Sequence, residues 1–591
     1  AQNNADSDLD CIFRLDGQEI IGTYNATRNL ANAKINISNP DLWWPAGQGD
    51  QKLYDVSICI GDTKIEKRIG LCDIKLVSEP DDIGRSFRFN VNDRAIFAKG
   101  ANWIPADALP ARITDQKTTA LLQAAVDANM NMIRVWGGGR YESDHFYHTC
   151  DELGLLVWQD FMFACNLYPH TEDFLDEVRS EVRDVVKRLH HHTSIALWCG
   201  DNEIVGALNW FEESVANRDR YLVAYDRLNH TIEQTLFHEL PDANWWPSSP
   251  SSGRLDFGDA WHDDQSGDMH FWSVWHEGKD FEHYRDIRPR FCSEFGFQSY
   301  PSMPVIRSFT KEQDLNIASP VMESHQKNAG GNARIAETMF RYFRFPNGFE
   351  NFVYLSQVQQ SIAIKTAVDY WRSEKPHCMG SLYWQLNDTW PVASWSSLNY
   401  GGSWKLLHHV ARRFYQPTTV VCIPDKDGWN LIATSDLKNN VTLRFIVGAI
   451  SLVGNQRTLT HGTVHLNNNN NAKAGYIDAD LLNEDEWLFW HWTDGETSNS
   501  ETNSENTNSY VRDEPTAAEI TKHLGDSYST DCITPNPYKK YNLPDAEITF
   551  SVSETEFGFS LELQCLRPAL FVTLEADVEG DLSDNAFTLL P

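Results

Sequence analysis

Apolar and polar positions alternate over the first 85 residues in short runs, KINISN, KLYDVSICI and KRIGLCDIKLV, parted by turn clusters such as GQGD and GDT. A period of two predicts strands with one buried face, here a small all-β sandwich over 1–85. Past FRFNVNDRAIFAKGANWIPAD the period changes. The runs NMIRVW, LGLLVWQDF, SIALWCG, RPRFCSEFGF and GSLYWQLND are almost continuously apolar, as strands buried on both faces are. Between them TTALLQAAVDANM and FLDEVRSEVRDVVKRLHHH repeat apolar residues at helical spacing. Strand–helix alternation over 86–412 predicts a (β/α)8 TIM barrel. A doubly wound sheet is the structural alternative, but its Gly-rich phosphate turn is missing, since WGGGR at 136–140 has the wrong spacing. The β pattern returns over 413–495 in VVCIP, NLIATSD and TLRFIVGAI, which predicts a second sandwich. Residues 496–540, rich in Ser, Asn, Thr, Asp and Glu, read as a polar insertion or flexible loop, and 541–591 as part of a C-terminal sandwich.

With 591 residues the chain exceeds what one core can serve, which agrees with several domains. No apolar run approaches 18 residues, so no membrane span is expected. A formal net charge of −33 argues against nucleic acid or an anionic membrane as partner. Eleven cysteines scattered without CxxC pairs predict reduced, buried thiols, with neither a disulfide framework nor a zinc site. Sequons occur, at Asn25 and Asn36 for example, but chance explains them as well as glycosylation does. The chain opens at Ala1 with no signal peptide visible, and the compartment stays open: cytoplasmic is slightly favoured over lysosomal or periplasmic. Twenty-one tryptophans are a surplus that suits either large cores or the apolar C–H faces of sugars.

Catalytic side chains of a barrel stand at the C-terminal ends of its strands. Two apolar runs end in glutamates, SIALWCGDNE at Glu203 and RFCSEFG at Glu294, and VWQDF ends a third with Asp160. A lone Gly-Asp-Asn is ordinary turn chemistry, so Glu203 acquires meaning only from a second carboxylate. Two carboxyl groups about 5–5.5 Å apart are what a retaining glycosidase needs. The run His190–His192 cannot converge on one metal ion without further ligands, because adjacent helical residues point apart, and a solvated helix end is expected.

The stretches NPDLWWPAGQG, FAKGANWIPAD, IRVWGGGRYESDHFYHTCDELGLLVWQDFMFACNLYP, LWCGDNE, RFCSEFGFQSYPS and LYWQLNDTWPVASWSSLNYGGSWKLLHHVARRFY resemble the β-mannosidases of glycoside hydrolase family 2 over about residues 40–415. The resemblance implies a multidomain fold: the barrel flanked by immunoglobulin-like β-sandwich domains, here without the N-terminal sugar-binding domain whose loop helps close the pocket. It implies Glu203 as acid/base, Glu294 as nucleophile, Asn202 as donor to the sugar 2-OH and Arg134 as the guanidinium aiming Glu294. A structural ion pair inside the barrel mouth is the lesser alternative for Arg134. Trp136 and Trp384 resemble pocket walls, Asp160 a binder of sugar hydroxyls and Trp210 a weaker wall candidate, with core packing the alternative for the tryptophans. His270 is expected as a pocket donor or a structural histidine; where the family keeps a tyrosine against the nucleophile, Phe271 and His276 occupy the plausible positions and the sequence names no partner. Asp201 stands where the family has Asn, as a helix cap or a further influence on the acid/base. The implied activity is exo-hydrolysis of terminal β-mannose, with a mannose-containing oligosaccharide or glycoside as partner, no cofactor and no metal. A β-galactosidase or exo-β-glucosaminidase is the runner-up, and a non-catalytic carbohydrate-binding fragment the reading from another class. The Asn-x-Lys motif of glucuronidases is missing from 345–412.

Overall fold

The computed structural model describes residues 11–25, 30–495, 524, 528–556, 558–575 and 582–591. Eight parallel strands form its centre: β1 (Ala98–Trp103), β2 (Met132–Val135), β3 (Leu156–Asp160), β4 (Ile195–Cys199), β5 (Trp245–Trp246), β6 (Met269–Phe271), β7 (Cys292–Phe295) and β8 (Gly380–Tyr383). Their order around the sheet is β5-β4-β3-β2-β1-β8-β7-β6, each neighbouring pair parallel. This is the expected TIM barrel. Among the described residues no ladder joins β5 to β6, and the bridge Ser251–Asp268 links the two sides there. Every residue of β1–β3, β7 and β8 is buried, which accounts for their continuous apolar pattern.

The helices between strands follow their sequence cues. In α1 (Asp115–Asp127) the Thr114 hydroxyl accepts the Lys117 N–H, an N-cap. Helix α2 (Asp144–Leu153) stops at Gly154, whose φ of +76° suits glycine. Helix α3 (Glu172–Leu189) buries Leu175, Val178, Val182, Val185, Val186 and Leu189, and carries Glu172 and Asp173 in its first turn and Lys187 and Arg188 in its last, as its dipole favours. The long helix α4 (Phe349–Ser373) packs against α5 (Leu406–Phe414) across the last strand of the barrel.

A five-stranded antiparallel sheet covers residues 11–70, and a three-stranded one joins Ile74–Val77, Arg88–Val91 and Arg94–Ile96. The second crosses the boundary expected at 85–86, because Phe87 and Phe89 plug the barrel floor: Phe87 meets Trp246 at 4.8 Å and Phe291 at 5.2 Å, ring to ring. After α5, a three-stranded and a four-stranded sheet enclose a core of Val420, Leu431, Phe445, Val447, Leu488 and Trp490. Most of the segment read as a polar insertion lies outside the described residues. Its end does not stay loop: Ser529–Ile533 adds a strand beside Glu486–Asp494. Two short hairpin-like pairs follow, Thr549–Thr555 with Gly558–Gln564 and Ala569–Val572 with Phe587–Leu589. All eleven cysteines are free, as their scatter predicts. No helix is long and apolar enough to cross a membrane among the described residues.

Candidate active site

The C-terminal ends of β2, β3, β4, β6 and β7 bring Arg134, Asp160, Asn202, Glu203, His270 and Glu294 into one buried cluster. Strand β4 delivers Glu203 by a tight route. Gly200 lies so near β5 that a Cβ on it would stand 2.3 Å from the Pro247 carbonyl oxygen. Asp201 then accepts the Ile204 N–H (3.1 Å) and the Ser248 hydroxyl (2.7 Å), which caps the short helix Ile204–Ala207. Burial pushes the Asp201 carboxyl up to about 7. Glu203 itself has φ +60°, a left-handed backbone that costs a non-glycine residue roughly 1–2 kcal/mol, and its N–H is anchored on the Ser249 carbonyl at 2.9 Å.

Arg134 organises the floor. It donates to Glu294 Oε1 through Nη1, to Asn102 Oδ1 through Nη1 (2.9 Å), to Asn202 Oδ1 through Nη2 (2.7 Å) and to Asp160 Oδ2 through Nη2 (2.8 Å). Burial works against its charge, yet Asp160 and Glu294 hold its pKa above the ordinary arginine value. Asp160 is fully engaged: its two oxygens also take the Trp158 indole N–H (3.0 Å) and the Gly137 N–H (3.0 Å). No face of that carboxylate is left for sugar hydroxyls, so its place is that of a counter-ion to Arg134, in contrast to the expected sugar contact.

The two glutamates sit in different surroundings. A carboxylate oxygen of each and a ring nitrogen of His270 lie within 4.8 Å of one another. Burial, and then the charge of Glu294, push Glu203 up to about 8. Burial raises Glu294 less, to about 7, because the charge and hydrogen bond of Arg134 oppose it. His270 Nδ1 is 2.7 Å from Glu203 Oε1 and its Nε2 is 2.9 Å from Ser249 Oγ. Asp268 takes the hydroxyls of Ser249 (2.7 Å) and Ser293 (2.5 Å), the Trp246 indole N–H (2.7 Å) and the Ser251 N–H (2.8 Å). With its hydrogen pointed at Asp268, the Ser249 oxygen accepts from His270 Nε2–H. That leaves Nδ1 as an acceptor for a proton on Glu203. Burial holds His270 far below the usual histidine range, so the ring is neutral. These three groups have the spacing of metal ligands, but one proton on Glu203 satisfies the contact with His270 without an ion.

Trp136 and Trp384 meet edge to face at 5.1 Å beside the cluster, both partly open to solvent. Trp210 is not joined to it: about half exposed (48%), it stacks on Trp261 at 5.5 Å. The partner of Glu294 is neither of the two plausible residues. Phe271 packs on His283 and Tyr284, His276 lies tilted against Trp272 at 5.4 Å, and Trp272 is the aromatic side chain placed near Glu294. Asn102, Cys165, Ser249 and Asp268 were also missed. Cys165 lies 3.5 Å from Glu203 Oε2 and takes the Asn202 amide at 3.2 Å. The histidine run is not wholly a solvated helix end, for His192 is buried on Asp151.

The Ig_mannosidase family model, an Ig-fold domain, matches residues 543–591. β-Mannosidase of Capra hircus is 39% identical over 429 residues, 68% of this chain and 48% of the relative. β-Mannosidase B of Neosartorya fischeri is 32% identical over 627 residues, 98% of this chain and 69% of the relative. Among solved structures, β-D-mannosidase from Dictyoglomus thermophilum superposes with a TM-score of 0.85 at 31% identity, over 99% of this chain and 69% of that one. An exo-chitosanase of Amycolatopsis orientalis shares the fold at a TM-score of 0.74 and 14% identity. The chain spans about half the length of the mammalian relatives it matches. On identity above 30% across almost its whole length, with the barrel and its sandwich domains in register, the chain belongs to the β-mannosidase family of glycoside hydrolases.

Proposed function

We propose that the barrel catalyses exo-hydrolysis of terminal non-reducing β-D-mannosides with net retention, Glu294 as nucleophile and Glu203 as acid/base. The observation that carries this reading is the glutamate pair, with a carboxylate oxygen of each within 4.8 Å and with opposite neighbours. That spacing suits direct attack by one carboxylate, whereas inversion needs carboxyl groups about 6.5–9.5 Å apart to admit a water. Glu294, aimed by Arg134, attacks the anomeric carbon while Glu203 gives its proton to the leaving oxygen. Water then enters the leaving group's place, Glu203 takes its proton, and the bond from Glu294 to the sugar breaks. Asn202, its oxygen held by Arg134 and one amide hydrogen on Cys165, keeps the other amide hydrogen for the sugar 2-OH. Trp136 and Trp384 offer apolar faces to the ring.

The test is kcat/KM on matched aryl β-mannoside, β-galactoside, β-glucoside, β-glucuronide and β-glucosaminide. We expect the mannoside to lead by about 100-fold or more, roughly 2.7 kcal/mol of differential transition-state binding. A lead for another sugar would move the specificity to that glycoside, and no turnover by the folded chain would favour a binding role.

A further inference from the structure

We propose that His148, His191 and His192 bind one divalent transition-metal ion, with Zn2+ the best match, on the N-terminal face of the barrel, opposite the glutamate pair. His148 lies in α2, and His191 and His192 lie in the turn between α3 and β4. The histidine run cannot chelate an ion by itself, and His148 is the ligand it lacks. One nitrogen of each ring lies within 4.8 Å of the other two. Ring centroids are 4.1 Å apart for His191 and His192 and 4.8 Å for His148 and His192. Zinc–nitrogen bonds of about 2.0–2.1 Å would bring the nitrogens to about 3.4 Å, which small side-chain rotations supply.

Three independent features mark the cluster as a ligand set. The Nε2 atoms of His191 and His192 are buried and make no hydrogen bond, which buried polar atoms rarely tolerate. His192 Nδ1 is 2.6 Å from Asp151 Oδ2, while Asp151 Oδ1 takes the Ser194 N–H at 2.8 Å. The carboxylate therefore fixes the proton on Nδ1 and the lone pair on Nε2, the outer-sphere support that metal-bound histidines carry. An open cleft of about 790 Å³, lined among others by Lys67, Arg68, His145, His148 and Glu152, reaches the cluster at His148, the side from which a water could complete the set as fourth ligand. Lys67 and Arg68 oppose positive charge here, and Asp151 and Glu152 offset them. Thr193 donates to the Gly70 carbonyl at 3.0 Å, so an ion at this place would clamp α2 and the α3–β4 turn beside the N-terminal sheet.

Metal-free chain titrated with Zn2+ by calorimetry, and with Co2+ by visible absorption, tests this directly. We expect one equivalent bound, a tetrahedral Co2+ band, a higher Tm with Zn2+, and loss of both signals in His148→Gln and in His191→Gln. These two residues are only partly buried, so their variants fold. Asp151→Asn should weaken Zn2+ binding by about 10- to 100-fold. The proposal fails if the folded chain binds no Zn2+, or if binding survives both histidine substitutions. It fails equally if binding is lost only in Glu203→Gln, which would put the ion between Glu203, His270 and Glu294.

Discussion

Glu203 and Glu294 are one residue type in one cavity, and their neighbours separate them. Glu294 faces the Arg134 guanidinium, which favours the anion. Burial and the charge of Glu294 hold the proton on Glu203 against the thiol of Cys165, which donates to Oε2, and neutral His270 offers Nδ1 as the acceptor for that proton. Above about pH 8 Glu203 loses the proton it owes the leaving group, so kcat/KM falls as pH rises through that value. His270→Ala removes the acceptor for that proton, makes Glu203 the stronger acid and moves this alkaline limb to lower pH. A loss of rate with the limb unmoved would mean that His270 is merely structural. Glu203 and Glu294 stood out in the sequence because each closes an apolar run with a carboxylate, whereas Arg134 and Asn202 were singled out only by the resemblance to the β-mannosidases. Trp272 was not, since a tryptophan after a two-residue apolar step looks like core. Nor can a sequence tell that both oxygens of Asp160 are already taken by Arg134, Trp158 and Gly137.

Elements with a full period were the readable ones. Helix α3 presents apolar residues at every three or four positions, and β2, β3 and β4 are mostly apolar runs broken only by Arg134 and by Gln159–Asp160. Strands β5 and β6 have two and three residues, too few to carry a period, and they surfaced only when paired with neighbours. The hairpin over residue 85 alternates like the sandwich before it, yet its aromatic face serves the barrel floor. Ser529–Ile533 follows a long polar stretch and mixes Ser, Thr, Asp, Cys and Ile, so composition hid a strand that backbone pairing with Leu488–Trp492 defines. Strand β4 illustrates the working part of such an element: glycine for the close pass, a capping carboxylate, then the strained glutamate.

In the molecule as a whole, the barrel and the sandwich that follows it meet across a buried charge cluster. Asp436 receives Arg372 Nη2 at 2.7 Å, Lys375 Nζ at 2.8 Å and Lys99 Nζ at 3.1 Å. Burial alone would raise this carboxyl, but the three cations hold it far below the usual range. Asp436→Asn leaves buried cations without their counter-ion and should cost about 3–5 kcal/mol of unfolding free energy in a denaturant titration. A loss under about 1 kcal/mol would mean that the cluster is well solvated. The remote cluster matters to function only by keeping β1 and α4 in register with the barrel mouth, where the chemistry is decided. The most direct test there is trapping the folded chain with a 2-deoxy-2-fluoro-β-mannosyl fluoride and mapping the label by peptide mass spectrometry. The account predicts one fluorosugar per chain, bound to Glu294 and absent from Glu294→Gln. A label on any other residue, or hydrolysis that releases α-mannose first from a β-mannoside, would contradict it.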